Sequence, residues 1–441
     1  MTGLASLCCN RIIAGSFHRQ PWSSIGNIYE LYFTKLRQSL KMNANIDRLF
    51  KLGLNPERLI IGLMSGTSID GLDVALCKCS GSGKDTTIDL LQFETVPYGD
   101  DYKKEIKSVF SRADVSLEKI CLLNEWIAEQ HAAVVNDCLQ KWDIENDRVD
   151  IVASHGQTIY HAPKYLHKNP KFGNATLQIG DGDHLAMRTG IITISDFRQK
   201  HIAAGGEGAP LAVYGDFIMF SKKDENRIML NIGGIANFTW LPGNMDATQV
   251  FSTDTGTGNT LMDGYVQQNF EGQYFDRGAR LARQGRVNNL LLQALKKDDF
   301  FTRPFPKTTG PELFNQYYIE EAKIRAGIIE ISPVDMLATL NRFTADTIVD
   351  AIQYCTPAKS QAVIYCSGGG MHNPLLMENL REQLPGYVFR TTADLSIDPD
   401  AKEAVLFAVL ANECIAGGKT KIGNGTSEVP FVSMGKISFP Q

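Results

Sequence analysis

Apolar residues follow two rhythms along this chain. From Arg58 they form the run RLIIGLMS, which breaks at the polar turn GTSID and resumes as the alternating stretch GLDVALCKC. That pattern predicts a buried strand, a glycine turn and a second strand. The same design returns at Arg227 as RIMLNIGGIANFTWLP. Between the two hairpins, DYKKEIKSVFSRA and SLEKICLLNEWIAEQHAAVVNDCLQKW carry apolar residues at helical spacing, while DIVASHGQTI and IITISDFR read as short strands. After the second hairpin, GNTLMDGYVQQNF, NNLLLQALKK and PVDMLATLNRFTADTIVDAIQYC are helical, AVIYCSGGGMHNP is a strand with a glycine turn, and PLLMENLREQL and DAKEAVLFAVLANECIAG are helices. Strands alternating with helices predict an α/β fold with mixed sheets and ligand chemistry at strand ends.

Two hairpins of one design predict two similar halves, residues 58–226 and 227–441, meeting at the polar run KKDEN (222–226), with the last helix free to pack back on the first half. Composition agrees with a folded enzyme. Of 441 residues, 43% are hydrophobic and 21% charged, which excludes a disordered or fibrous chain. A net charge of −5 argues against nucleic acid as a partner, and no run reaches the roughly 18 apolar residues of a membrane span. The nine cysteines are odd in number and scattered without metal-ligand spacing, so they read as small buried hydrophobes in a reduced cytoplasm. Residues 1–41 differ from the rest: Arg11, Arg19, Lys35, Arg37 and Lys41 face the single acid Glu30. This leader reads as an over-called start ahead of Met42, a disordered tail or a targeting segment, and it carries no chemistry.

The glycine turns are the candidate phosphate chemistry. In GTSIDGLD, Gly66, Thr67, Ser68 and Gly71, interleaved with Ile69 and Leu72, leave backbone N–H groups open to an anion. Asp70 and Asp73 beside a phosphate would need Mg²⁺ or a base role, and a plain hairpin turn explains the segment equally well. No GxxxxGK[ST] loop occurs, and GSGKD (81–85) lacks both its first glycine and its Ser/Thr. The second turn, with Asn231, Gly233 and Gly234, precedes DTGTGN. There Asp254, Gly256 and Gly258 suit a metal-bound phosphate loop opening a helix at Asn259. Gly368, Gly369 and Gly370 end a strand before a helix, as close approach to a flat ring such as adenine would require.

GLMSGTSIDGLDVALC, SHGQT, SDFR, GGEGAPL, NIGGIAN, DTGTGN, KTTGPELF, SGGGMHNP and AKEAVLFA stand in the order of the anhydro-N-acetylmuramic acid kinases, which this chain resembles over about residues 58–438. The resemblance implies the sugar kinase, Hsp70 and actin superfamily, with two ribonuclease-H-like domains flanking an ATP cleft. It also implies a homodimer and ATP-dependent phosphorylation of O6 of 1,6-anhydro-N-acetylmuramic acid with hydrolytic opening of the anhydro ring. Asp196, at the end of a short apolar strand, is implied as the base that takes the water's proton, and Glu403 as the second carboxylate holding that water. Arg198, His155, Gln157 and the loop glycines Gly206 and Gly208 are candidates for substrate contacts, and Asp254 or Asp70 for Mg²⁺ travelling with ATP. His161, His167, His184, His201 and His372 show no metal pairing and read as surface or loop residues. Thr257, Glu207 and Pro311 depart from the family pattern, which commonly shows Pro, Gln and Arg there. A levoglucosan kinase shares the mechanism and remains the alternative, and a non-kinase ATPase of the superfamily leaves SDFR and GGEGAPL unexplained.

Overall fold

A computed structural model describes residues 43–66, 68–310, 313–356, 361–417, 420–423, 425 and 429–441. The chain divides into two compact units, 1–51 and 52–441. Of the first, the described residues lie in or just before the helix Ala44–Leu54, where Lys51 pairs with Asp47 one turn earlier at 2.6 Å. The leader 1–41, Thr67 and Pro311 fall outside the described residues. The second unit carries every strand named below.

Each predicted apolar run forms a strand. The first sheet is built from β1 (Glu57–Ser65), β2 (Gly71–Ser80), β3 (Thr87–Pro97), β4 (Ile151–Ala162), β5 (Ala175–Ile179) and β6 (Ile192–Ser195), and the second from β7 (Asn226–Ile232), β8 (Ile235–Leu241), β9 (Phe251–Thr257), β10 (Ala362–Ser367) and β11 (Val388–Thr391). A last strand, β12 (Lys436–Ser438), joins the first sheet. The strand orders are β12-β6-β4-β1-β2-β3, with β5 on β4, and β11-β10-β7-β8-β9. In the first sheet β1, β4 and β6 run parallel while β2 and β3 fold back antiparallel. In the second, β7, β10 and β11 run parallel while β8 and β9 fold back. Without β5 and β12 the two orders are one topology: an antiparallel meander whose first strand is extended by two parallel strands. The duplicated α/β design expected from the two hairpins is present.

Helices Asp100–Val109 and Leu117–Lys141 cover one face of the first sheet through Ile106, Ile127, Ala128 and Val135, all buried. The other face receives the helix Lys402–Ala416, whose AVLFAVLA run is almost wholly buried. A Cβ on Gly62 of β1 would lie 1.9 Å from the Ala404 carbonyl, so only glycine admits the helix this closely. That contact matters for function, because Glu403 stands next to Ala404. The second sheet packs Ile228, Leu230 and Phe238 against Ile348 and Ile352 of the helix Pro333–Cys355 and Leu376 and Leu380 of Pro374–Gln383. Between the sheets lies the helix Ala212–Phe220; its Phe217 and Phe220 share one core with Met229 and Leu241 of the second sheet and Phe407 of the last helix.

Candidate active site

Strand register assembles the site. Ser154 on β4 is level with Ser195 on β6, so His155 and Asp196 follow at the same height of the first sheet. Asp196 takes the left-handed conformation (φ 55, ψ 46) ahead of the helix Phe197–Ala203 and makes no side-chain cap bond to it. A non-glycine residue there costs on the order of 1 kcal/mol, a strain common at positions fixed for function. The Asp196 carboxylate pairs with Lys436 of β12, whose Cα is level with Ser195. It lines a cavity of about 530 Å³ with His155, Gln178, Asp181, Asp183 and Ser438.

Arg198 is bonded to other groups than Asp196. Its Nε donates to His155 Nε2 at 3.0 Å and its Nη1 to the Gly208 carbonyl at 2.9 Å. Burial pushes the His155 pKa well down, with Arg198 adding to the effect, so the ring is neutral and its Nε2 is free to accept. The GGEGAP loop is also held from below: the Gly208 N–H donates to His201 Nδ1 at 3.0 Å, and Asn174 donates to the Gly206 carbonyl at 3.1 Å. His201, read from sequence as a surface residue, is fully buried because it anchors this loop. Gln157 is likewise not at a cavity wall. It is fully buried, accepts from Ser65 Oγ at 2.6 Å, and reaches back toward the Gly66 carbonyl at 3.4 Å. Gln157 thus braces the first glycine turn from behind, as part of a buried chain running through Ser65 and Tyr98 to His131.

Arg198 also faces a cavity of about 410 Å³ between the halves, and Glu403 lines the same cavity. Glu403 is the second residue of its helix, open to the cleft water yet surrounded by protein. Desolvation raises its pKa against the lowering pull of Lys402 and Arg198, with Asp216 raising it further. Arg198 is itself pushed down to about 10 by burial, against the pull of Glu403. Asp73 on β2 is pushed up to about 6, first by desolvation and then by Glu403, Asp70 and Asp400, against a bond from Thr95. Asp196 and Glu403, the two predicted carboxylates, therefore line different cavities, and the Arg198–His155 pair stands between them.

The opposite wall comes from the second sheet. Asn231 on β7 is level with Asn237 on β8, and Asn237 with Asp254 on β9, giving a polar row across three strands that lines the cleft with Gly233 and Gly368. Asp254 sits inside β9, not at a helix cap, and one of its oxygens accepts from the Thr309 N–H at 2.8 Å. The glycine turns touch one another through backbone. A Cβ on Gly258 would lie 2.2 Å from the Gly233 carbonyl oxygen, and one on Gly368 2.8 Å from the Ile232 carbonyl. The helix Thr260–Asn269 begins after Asn259, which is its N-cap. Asn259 and Gly369 open onto a further cavity of about 330 Å³, lined by Met262, Asp263, Phe275, Asp276 and His372.

The model of the anhydro-N-acetylmuramic acid kinases matches residues 58–440. The chain belongs to the anhydro-N-acetylmuramic acid kinase family. A relative of that name from Pseudoalteromonas atlantica is 54% identical over 90% of this chain and 100% of its own length, and one from Pseudoalteromonas translucida is 53% identical over the same shares. A third, from Caldanaerobacter subterraneus, is 39% identical over 89% of this chain and all of its own.

In this family member the first glycine turn is less open than its composition suggests. Ile69 and Leu72 are buried in the core, and Ser68 Oγ and the Gly71 N–H both donate to Asp70 Oδ1, at 2.7 and 3.1 Å. Neither Asp70 nor the other described residues of this turn line the cleft, where Met64 is the contribution of β1. Between the two predicted metal carboxylates, the geometry favours Asp254. The glycine cradle, where added Cβ atoms would strike backbone, and the Asp254 carboxylate at its edge fit a nucleotide's phosphates with a divalent cation. Sequence reading missed Asn237, Asp216, Asp400 and Lys402 in the cleft and Lys436 beside Asp196. Asn237 and Lys402 carried a signal, their places in the NIGGIAN turn and the AKEAVLFA run. No helix among the described residues is long and apolar enough to cross a membrane.

Proposed function

We propose that the protein transfers the γ-phosphoryl group of ATP to O6 of 1,6-anhydro-N-acetylmuramic acid while water opens the anhydro bridge, giving N-acetylmuramic acid 6-phosphate for cell-wall recycling in the cytoplasm. The observation that carries this reading is the opposition, within one cleft, of Arg198 and Glu403 on one wall to Asn231, Gly233, Asp254 and Gly368 on the other. Family membership supplies the substrate.

The chemistry needs an in-line chain of water, C1, O6 and phosphorus. Water's oxygen bonds to C1 as its proton passes to the Asp196 carboxylate. The C1–O6 bond breaks with its electron pair left on O6, and O6 bonds to phosphorus as ADP leaves. A base and a phosphoryl donor must then lie on opposite sides of the sugar. Asp196 beyond the Arg198–His155 pair, with the glycine turns across the cleft, supports this reading. Glu403, on the cleft side of the Arg198–His155 pair, faces the bound sugar, and Arg198 offsets the charge of the transferred group. The adenosine occupies the cavity of Phe275, Asp263 and Gly369. Mg²⁺ carried by the nucleotide would be held by Asp254, where it supplies charge neutralisation.

The test is ADP release by the full chain with Mg-ATP and either the muramic anhydro-sugar or levoglucosan, with Asp196→Asn in parallel. The expected result is turnover on the muramic sugar, reduced about 10³-fold in the variant, since general-base catalysis contributes roughly 10²–10⁴-fold. A preference for levoglucosan moves the substrate assignment and leaves the mechanism. Equal ATP consumption without any sugar overturns the reading.

A further inference from the structure

One ion pair in the cleft is hard to explain as scaffolding. Lys402 and Asp216 are 8% and 2% exposed. The Lys402 ammonium stands 3.0 Å from Asp216 Oδ1, close enough for an ion pair but off the line of an aligned hydrogen bond. Asp216 Oδ2 accepts from Thr239 Oγ1 at 2.6 Å. Burying two charges costs more than such a pair commonly returns, and an apolar pair of similar volume would be as stable or more so. Lys402 is also the first residue of its helix, where a cation opposes the helix dipole. Thus the pair sits where both desolvation and the dipole oppose it.

Its position suggests its use. Lys402 precedes Glu403, Asp216 belongs to the helix between the two sheets, and Thr239 lies on β8 of the second sheet. Lys402, Glu403 and Asp216 all border the 410 Å³ cleft. We infer that the Lys402–Asp216 pair is a positioning device that, through the Asp216–Thr239 bond, locks the first turn of the last helix to the second sheet and sets the charge around Glu403. This inference rests on the proposed function, because it gives Glu403 a role in turnover. Glu403 is faced by Lys402 on its own helix, Arg198 on Phe197–Ala203, Asp216 on Ala212–Phe220 and Asp73 on β2. Asp73 is in turn faced by Asp70 and Asp400.

The test is the pH dependence of kcat for the full chain with Mg-ATP and the muramic anhydro-sugar. Lys402→Met leaves Asp216 uncompensated beside Glu403, so the acidic limb moves to higher pH. Asp216→Asn leaves Lys402 uncompensated, so the limb moves to lower pH. Each displacement is expected to be about one pH unit, the usual effect of one charge a few ångströms away. A pair that merely holds the fold would lower kcat without displacing the limb in opposite directions, so an unmoved limb, or two shifts of one sign, overturns the inference. If a single variant fails to fold, the double variant Lys402→Met/Asp216→Asn, which buries no lone charge, takes its place. It is expected to lose about 10-fold or more in kcat with KM for ATP unchanged, while Lys402→Arg keeps the wild-type limb; a double variant with wild-type kcat overturns the inference. Absence of sugar-dependent turnover in the wild type would instead refute the proposed function itself.

Discussion

Gly258→Ala tests whether the glycine turns of the second half form the phosphate cradle. The added methyl would sit 2.2 Å from the Gly233 carbonyl oxygen and 3.2 Å from both the Gly233 carbonyl carbon and the Gly234 oxygen, so it meets rigid backbone and no side chain that could swing aside. Relief requires the two turns to separate by about 1 Å, since ordinary contact begins near 3.4 Å. Three bonds tie the turns at this point: Gly258 N–H to the Gly234 oxygen at 2.7 Å, Asn259 N–H to the Gly233 oxygen at 2.8 Å, and Thr260 N–H to the Gly234 oxygen at 3.1 Å. Overpacking of this kind costs about 1–3 kcal/mol and each weakened bond about 1 kcal/mol more. If roughly 1.4–2.8 kcal/mol of that reaches the bound nucleotide, KM for ATP rises about 10- to 100-fold. The sugar side of the cleft is untouched, so KM for the anhydro-sugar should stay within about twofold. Steady-state kinetics with each substrate varied in turn provides the readout, with Gly264→Ala as the control. Gly264 lies in the following helix with nothing within 4 Å of its added methyl. That change should stabilise the helix by up to about 1 kcal/mol and leave both KM values alone. An unchanged KM for ATP in Gly258→Ala, with the protein folded, would refute the assignment of these turns to phosphate.

Two further outcomes concern the first half. Arg198→Lys loses the fork that bonds His155 and the Gly208 carbonyl together and leaves a buried acceptor unpaired, a loss of about 1–3 kcal/mol; kcat/KM for the sugar should fall about 10²-fold with KM for ATP constant, and retention of more than half of the sugar efficiency would contradict the role given to this arginine. His131, buried among Tyr98 and Tyr102, has its pKa lowered to about 4 by desolvation, so between that value and the unfolded value near 6.5 the unfolded chain binds the extra proton. Its contribution is therefore full above pH 6.5 and lost as pH falls through 4. Chemical denaturation at pH 7 and pH 4.5 should show a smaller acid loss in His131→Gln than in the wild type, and an equal loss would remove His131 from the account.

The elements were legible because their signals are local. The strand–turn–strand runs at Arg58 and Arg227 announce themselves within about twenty residues each, and period-2 and period-3.6 patterning decides between strand and helix without reference to anything distant. Their likeness even exposed the duplication, since one topology laid twice demands one hairpin design twice. Gln157 and His201 show where this reasoning stops. Both are polar residues beside glycine motifs, and sequence placed one at the substrate and the other at the surface. Both are buried instead, because a glycine turn needs side-chain partners behind it. Nothing in the sequence near Gln157 indicates that Ser65, on another strand, will supply its donor.

The same limit explains the charges that sequence reading missed. Asp196 meets Lys436 because β12 returns to pair with β6, and Asp216 meets Lys402 because the last helix crosses back onto the first sheet at Gly62. Each partnership is a product of chain return, and no periodicity encodes it. The returns are also what make the site. Without the approach that Gly62 allows, Glu403 would not reach the cleft, and without β12 the Asp196 carboxylate would face its cavity without the Lys436 cation beside it. On the proposed function, the glycine turns of the second half take a nucleotide's phosphates through contacts made among themselves. On the same proposed function, the carboxylates that direct water at a sugar depend on the helix Lys402–Ala416 and β12 packing onto the first sheet, so damage to that packing should remove sugar turnover before it removes nucleotide binding.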